Sequence, residues 1–237
     1  MKLKLLANGQ HSFEHWFKRW GLAFLINDDI VFDTFGDARV LMENLRQFKV
    51  DIGKIEQVVI SHEHWDHVGG LCLLLKQKPG LKVYLPSHAD IVLKDKICGW
   101  GGEVVEVTRA LKLKDSIHLS GEIMGCYAGK PMPEQSIVLE TQKGLVVIAG
   151  CAHPEINIIV KRVKEVFQKS VYGVIGGFHL KDHSLEGINI EVANLKEEGV
   201  NMVMPLHCTG ARAQKIFQQA FGLGYVSIRE GQETIFV

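Results

Sequence analysis

Four side chains that commonly bind metal ions occur within six residues of this sequence: His62, His64, Asp66 and His67. They follow residues 58–60 (VVI), which predict a buried β-strand. On an extended backbone, residues two apart project to the same side, so His62 and His64 can hold one ion. A turn after this pair lets Asp66 and His67 face a second ion close by. Imidazole and carboxylate ligands together suit zinc, with iron and manganese as alternatives.

Three further histidines each follow an apolar strand in the last third of the sequence: His153, His179 and His207. The same order occurs three times, namely an apolar strand, a loop that carries the histidine, and a helix. In layered α/β proteins, the loops at the carboxyl ends of the strands converge above the sheet, and sites are built there. A surface loop that is merely rich in histidine is the alternative for the first cluster, and its position after a buried strand disfavours it.

The rest of the sequence predicts the elements that hold these residues. Residues 22–26 and 30–32 predict a β-hairpin, residues 38–48 predict a helix, and another helix is predicted to begin at or just after His67. Further strands are predicted at residues 103–107, 116–119, 137–141 and 145–148. No linker rich in Ser, Gly or Pro divides the chain, so we predict a single domain over residues 1–237.

Composition limits the classes of partner. Lys and Arg together number 27, as do Asp and Glu, so no net field attracts long nucleic acids or an anionic membrane surface. No apolar stretch reaches the roughly 18 residues that cross a bilayer, and the first residues lack the apolar core of a secretory signal. The five cysteines are widely spaced and form no C-x-x-C pair, which indicates reduced thiols. We therefore expect a cytoplasmic protein with a small-molecule substrate and no membrane partner.

The segment 61–70 (SHEHWDHVGG) resembles the H-x-H-x-D-H signature of the metallo-β-lactamase superfamily. Residues 30–34 (IVFDT) are similar to the early superfamily strand that ends in an aspartate. The resemblance implies an αββα sandwich of the metallo-β-lactamase type, with two metal ions bridged by water or hydroxide. Within the superfamily, three segments resemble the 7,8-dihydropterin-6-methyl-4-(ribofuranosyl)aminobenzene phosphate synthase-like group: residues 150–154 (GCAHP), 176–180 (GGFHL) and 205–210 (PLHCTG).

The resemblance also implies roles for the residues of the motif. His62 and His64 would hold the first metal ion, and Asp66 and His67 would contribute to the second. His207 matches the position of the late superfamily histidine. Each of the five is therefore a predicted metal ligand.

The remaining roles are less directly implied. His153 is predicted as a further ligand because residues 123–136 contain no histidine where many relatives have one, and a capping or ligand-supporting role is the alternative. Cys151 stands where the superfamily's bridging aspartate usually falls; zinc accepts a thiolate, although a buried thiol that only packs is nearly as good an interpretation. His179 is interpreted as a group that contacts the substrate or donates a proton. Asp33 is interpreted as a carboxylate that orients a histidine.

Two adjacent divalent ions lower the pKa of a shared water and stabilise the charge that develops on attack. The sequence therefore predicts a binuclear metal-dependent hydrolase that acts on a small ester, phosphoester or lactone, with Asp66 able to accept the proton of the nucleophile. A nuclease or phosphodiesterase of the same superfamily and a non-catalytic metal-binding protein are the alternatives. The aromatic and basic segment 11–20 is interpreted equally well as a loop that contacts substrate and as a packed cover.

Overall fold

The computed structural model describes residues 1–9 and 20–237. The segment 11–20, interpreted above as a substrate loop or a cover, lies outside the described residues except for Trp20, which is buried. The chain forms two compact units: Met1–Thr108 with Ile228–Phe236, and Arg109–Ser227 with Val237. The single domain over residues 1–237 stays a prediction.

The first unit begins with alternating strands and helices. In chain order these elements are β1 (Lys2–Gly9), β2 (Gly21–Ile26), β3 (Ile30–Phe32), α1 (Ala38–Gln47), β4 (Gln57–Val59), α2 (Trp65–Val68), α3 (Leu71–Gln77), β5 (Lys82–Pro86), α4 (Ile91–Gly99) and β6 (Glu103–Val107). A short 3₁₀ helix, Ile52–Lys54, lies between α1 and β4.

The second unit begins with strands and then alternates strands with helices. In chain order these elements are β7 (Arg109–Lys114), β8 (Ile117–Gly121), β9 (Ile123–Tyr127), β10 (Lys130–Glu134), β11 (Ile137–Thr141), β12 (Gly144–Ala149), α5 (Ile156–Phe167), β13 (Val171–Gly177), α6 (Leu185–Glu197), β14 (Met202–Leu206) and α7 (Ala211–Phe221). The last strand, β15 (Glu233–Ile235), belongs to the first unit. Two 3₁₀ helices, His207–Thr209 and Gly222–Gly224, flank α7. Among the described residues, no helix has the length and apolar character needed to cross a membrane.

The first unit contains one mixed sheet with the strand order β15-β1-β2-β3-β4-β5-β6. Pairing is antiparallel from β15 to β3 and parallel from β3 to β6. The predicted hairpin is confirmed as β2 and β3. Its turn contains Asn27 and Asp28 with φ of 49° and 69°, a left-handed conformation that Asn and Asp tolerate better than most residues.

Helices α1, α3 and α4 cover one face of this sheet. Leu41 of α1 and Leu74 of α3 are completely buried in one apolar cluster with Val31, Val58 and Val83 of the strands. Burial of each such side chain contributes roughly 1.5–3 kcal/mol. This packing holds the strand ends that carry the histidine motif in a defined position.

The helix after the histidine motif begins earlier than predicted. Helix α2 starts at Trp65, so His67 lies within a helical turn, whereas the prediction began the helix at or after that residue. Two glycines after α2 allow this turn to pack closely against the loop that follows β3. A Cβ at Gly69 would lie 2.1 Å from the carbonyl oxygen of Gly36, and a Cβ at Gly70 would lie 2.2 Å from that of Thr34.

The main sheet of the second unit has the order β14-β13-β12-β11-β8-β7, and β9 and β10 form a separate hairpin. Strands β12, β13 and β14 are parallel neighbours, so their carboxyl ends lie at the same edge. The predicted threefold repeat of strand, histidine loop and helix is therefore confirmed. The hairpin was not predicted, in part because Pro131 and Pro133 argue against a strand at β10.

Candidate functional site

The histidine motif, defined as His62, His64, Asp66 and His67, follows the carboxyl end of β4. The side chains of His62 and His67 are completely buried, and Asp66 is 5% exposed. The ring centroid of His62 lies 4.7 Å from that of His64 and 4.2 Å from that of His67. The structure thus brings the three predicted histidine ligands of this segment together.

Asp33 contacts one of these histidines, as predicted, and is linked to a second through Ser61. Its Oδ2 atom lies 2.6 Å from His67 Nδ1, and it accepts hydrogen bonds from the Ser61 hydroxyl at 2.7 Å and, through Oδ1, from the Ser61 amide at 2.7 Å. The Ser61 hydroxyl also lies 2.9 Å from His62 Nδ1. Because a carboxylate only accepts, the proton of His67 sits on Nδ1, which leaves the Nε2 lone pair for a ligand bond.

The donor atoms of the histidine motif are spaced as metal ligands require. His62 Nε2 lies 3.1 Å from His64 Nδ1, and His67 Nε2 lies 3.5 Å from Asp66 Oδ2. Nitrogen ligands about 2.0–2.1 Å from a tetrahedral zinc ion lie roughly 3.3 Å from one another. The nitrogen and oxygen atoms of this segment therefore fit a divalent ion in both spacing and chemical type.

In the second unit, a carboxyl-edge cluster lies at the ends of β12, β13 and β14. Its members are Cys151, His153, His179, His207 and Cys208. The ligand atoms of Cys151, His207 and Cys208 lie within 4.8 Å of one another, as do those of Cys151, His153 and His179. The four residues predicted here are thus brought together. Cys208 was not predicted, although it directly follows His207 and its Sγ lies 3.3 Å from that of Cys151.

Glu134, a residue that the sequence analysis missed, holds the loop that presents two members of this cluster. Its Oε1 accepts hydrogen bonds from the amides of Gly150 at 3.1 Å and of Cys151 and Ala152 at 2.9 Å, and its Oε2 accepts one from the His153 amide at 2.9 Å. The side chain is 1% exposed. Four amides directed at one carboxylate fix the backbone of this loop.

Several residues in or beside the two clusters have a left-handed backbone. The φ angles are 55° for Asp33, 57° for Ala152, 51° for His179 and 46° for His207. This conformation is uncommon outside glycine and accumulates at functional sites, where the surrounding structure enforces it. Each of these four residues lies in the connection that follows a strand, and His207 begins a 3₁₀ helix there.

Within the carboxyl-edge cluster, His179 and Cys208 shift each other's pKa. Burial alone would lower the pKa of His179, but its hydrogen bond with Cys208 and the negative charges of Cys208 and Glu134 outweigh burial and raise that pKa. Burial raises the pKa of the Cys208 thiol, yet the hydrogen bond between Cys208 and Cys151 and the charge of His207 lower it well below its usual value. The pKa shifts of His179 and Cys208 are opposite in sign because each group stabilises the charged form of the other.

Glu191, in helix α6, is a second buried acid of this unit and was not predicted. Its Oε1 accepts a hydrogen bond from Asn157 Nδ2 at 2.8 Å. Burial, followed by the nearby charge of Glu155, raises the pKa of Glu191 to about 7. The folded protein therefore favours the neutral form of this carboxyl.

We expect Glu191→Gln to stabilise the protein at pH 8 by roughly 1–2 kcal/mol, because the substitution removes a buried charge and keeps the shape of the side chain. The folded pKa of about 7 exceeds the ordinary 4.5. The stabilisation that protonated Glu191 contributes is therefore complete below pH 4.5 and is lost as the pH rises through 7. Urea unfolding at pH 5 and pH 8 tests this prediction, with Glu197→Gln, an exposed position of the same helix, as the control. An equal gain at both pH values would contradict it.

Comparison with known proteins identifies related sequences and folds. The family model described as the metallo-beta-lactamase superfamily matches residues 21–198. The 7,8-dihydropterin-6-methyl-4-(beta-D-ribofuranosyl)-aminobenzene-5'-phosphate synthase of Methanocaldococcus jannaschii is 29% identical over an alignment 259 positions long, which covers 90% of this chain and 88% of the relative.

Solved structures agree with the family match. Tm1679, a metal-dependent hydrolase of the beta-lactamase superfamily, has a TM-score of 0.79 and 26% identity, with 99% of this chain and 98% of that chain covered. The metallo-beta-lactamase fold protein YhfI from Bacillus subtilis has a TM-score of 0.67 at 14% identity, with 98% of each chain covered, and shows a likeness of fold alone. The predicted fold class is confirmed.

Proposed function

Because the chain belongs to the metallo-β-lactamase superfamily, we propose that it is a metal-dependent hydrolase acting on a small ester, phosphoester or lactone substrate. The observation that carries the proposal is the network of Asp33 and Ser61, which orients the buried nitrogens of His62 and His67. Bound divalent ions would lower the pKa of a coordinated water and stabilise the charge that develops on the substrate.

We propose two groups of metal ligands. His62, His64, Asp66 and His67 supply nitrogen and oxygen donors from the histidine motif. Cys151, His153 and His207 supply nitrogen and sulfur donors from the carboxyl-edge cluster. This donor set suits two divalent ions, with zinc as the first choice and iron or manganese as alternatives.

Two residues are proposed to act on the substrate. Asp66 has a carboxylate that can accept the proton of the nucleophile. His179 Nδ1 is buried and has no hydrogen-bond partner in the part of the chain that the structure describes, which supports a role in contacting the substrate or in moving a proton. We further propose that the protein acts in the cytoplasm on a small molecule, which the balanced charge and the widely spaced cysteines support.

Elemental analysis combined with a hydrolysis assay tests the proposal. We expect about two equivalents of divalent metal per chain in protein purified or reconstituted with zinc, iron or manganese. Hydrolysis of p-nitrophenyl esters, phosphoesters or lactones should cease on chelation and return when metal is added. His64→Ala should retain less metal and hydrolyse at least about tenfold more slowly, because one nitrogen donor is lost.

The matched control is His118→Ala, which removes a histidine that pairs with Glu140 at 3.1 Å and belongs to neither cluster. This variant should keep both the metal content and the rate. A wild-type protein that binds no transition metal after reconstitution would contradict the proposal, as would a hydrolysis rate that chelation leaves unchanged.

Synthesis of 7,8-dihydropterin-6-methyl-4-(beta-D-ribofuranosyl)-aminobenzene-5'-phosphate is a second candidate function. The observation that favours it is the 29% identity with the synthase of Methanocaldococcus jannaschii over 90% of this chain. The same assay separates the two candidates. A metal-loaded protein that hydrolyses none of the substrates above would favour the synthase, whereas metal-dependent hydrolysis favours the hydrolase.

A further inference from the structure

A cavity of about 220 Å³ lies within the second unit, beside the carboxyl-edge cluster. His153 and His179 of that cluster line it, together with Phe178, Leu180 and Glu191. Pockets for drug-sized ligands occupy roughly 300–1,000 Å³, so this cavity suits one moiety of a substrate. Its walls combine an apolar surface with a buried acid.

Glu191 has hydrogen-bonding capacity that the described residues do not use. The side chain is 7% exposed, and Asn157 donates to its Oε1 atom. Glu191 Oε2 and Asn157 Oδ1 are buried, and neither has a hydrogen-bond partner within residues 1–9 and 20–237. Buried polar atoms are normally paired, and an unsatisfied acceptor is destabilising unless a ligand or water supplies a donor.

The charges around this acid indicate which donor it would accept. Glu155 also lines the cavity and adds a second carboxylate, while the neighbouring Lys161 partly offsets their negative charge. His183 lines the cavity from an exposed loop. Phe178 and Leu180 provide apolar contact for a flat group. A planar group with N–H donors at one edge complements both the carboxylate and these apolar walls.

We propose that this cavity is a recognition pocket for a planar substrate group with adjacent N–H donors, such as an amidine or guanidine, and that Glu191 determines its specificity. The inference rests on the proposed function, because the pocket shares His153 and His179 with the carboxyl-edge cluster. It adds a substrate class to that function: an ester, phosphoester or lactone that carries such a nitrogen group.

Isothermal titration calorimetry with benzamidine at pH 8, above the Glu191 pKa of about 7, tests this pocket. Benzamidine carries paired N–H donors on a flat ring, and acetophenone has nearly the same shape with an acceptor in place of the donors. We expect benzamidine to bind the zinc-reconstituted protein, and acetophenone to bind at least about tenfold more weakly. Glu191→Gln should weaken benzamidine binding by a similar factor, because the amide keeps the shape and removes the charge.

Glu197→Gln, at the exposed end of the same helix, serves as the control and should bind benzamidine like the wild type. Far-ultraviolet circular dichroism of each variant verifies folding. Equal benzamidine affinity in wild type and Glu191→Gln would overturn the inference, as would equal affinity for the two ligands or no benzamidine binding. Benzamidine binding without metal-dependent hydrolysis would count against the proposed function alone, whereas hydrolysis without benzamidine binding would count against the pocket alone.

Discussion

Replacing Glu134 with Gln will lower the free energy of unfolding by about 2–4 kcal/mol and loosen the loop at residues 150–153. The carboxylate accepts four backbone hydrogen bonds, and both oxygens are needed. A glutamine keeps one acceptor oxygen, but its amide group would point N–H donors at the N–H of His153 or of Cys151. The variant therefore loses charge-assisted hydrogen bonds and also places two N–H donors against each other in a buried position.

Urea unfolding measures the stability change, and amide hydrogen exchange at residues 150–153 measures the local opening. The matched control is Glu140→Gln on β11, where the carboxylate is 31% exposed and pairs with Lys169 at 2.7 Å and with His118 at 3.1 Å. Partly exposed pairs of this kind contribute about 0–1 kcal/mol each, so the control should remain close to the wild type. The role given to Glu134 is wrong if the two variants lose the same stability and exchange at the same rate.

Asp33→Asn should lower the affinity for zinc about 10–100-fold, the range observed for residues that orient a metal ligand. The carboxylate holds the proton of His67 on Nδ1 at a distance of 2.6 Å. An asparagine can keep its oxygen toward the Ser61 amide only by directing its NH₂ group at His67. The imidazole would then accept at Nδ1 and carry its proton on Nε2, the atom that a metal ion needs.

Competition of the protein with a chromophoric chelator for zinc measures this affinity. Asp51→Asn is the control, because Asp51 is exposed and accepts a hydrogen bond from the Gly53 amide, which an asparagine oxygen can also accept. We expect the control to bind zinc like the wild type. A change of less than about threefold in Asp33→Asn would show that Asp33 does not govern the ligand state of His67.

Much of the fold follows from patterns between neighbouring residues. The alternation of apolar strands with histidine loops and helices predicted that three loops lie at one sheet edge, and β12, β13 and β14 confirm this. The hairpin of β2 and β3 and helix α1 were predicted from hydrophobic periodicity and turn residues. The spacing of the histidine motif pointed to the superfamily before any distance was known. These signals are local because periodicity and turn preferences depend on residues a few positions apart.

Other predictions failed where local signals compete. Helix α2 begins before its predicted start. The polar ligand residues of the motif conceal a helical turn, and contacts between this turn and residues 34–36 stabilise it. The β9–β10 hairpin was missed because Pro131 and Pro133 disfavour a strand locally. Pairing with β9 nevertheless gives β10 a regular register from Lys130 to Glu134.

The sequence by itself determined the fold class, the superfamily and the candidate ligands, because each is encoded in short motifs and in regular hydrophobic spacing. The resemblance implied that Asp33 orients a histidine, but only the tertiary structure decided which histidine it contacts and showed that Glu134 supports the loop of Cys151 and His153. Asp33 meets its partners across 28 and 34 residues, and Glu134 meets the loop amides across 16 to 19 residues. The burial of Glu191 and the pKa of its carboxyl likewise depend on groups from other elements. Such contacts form only when the strand register brings distant segments together, so no pattern of neighbouring residues contains them.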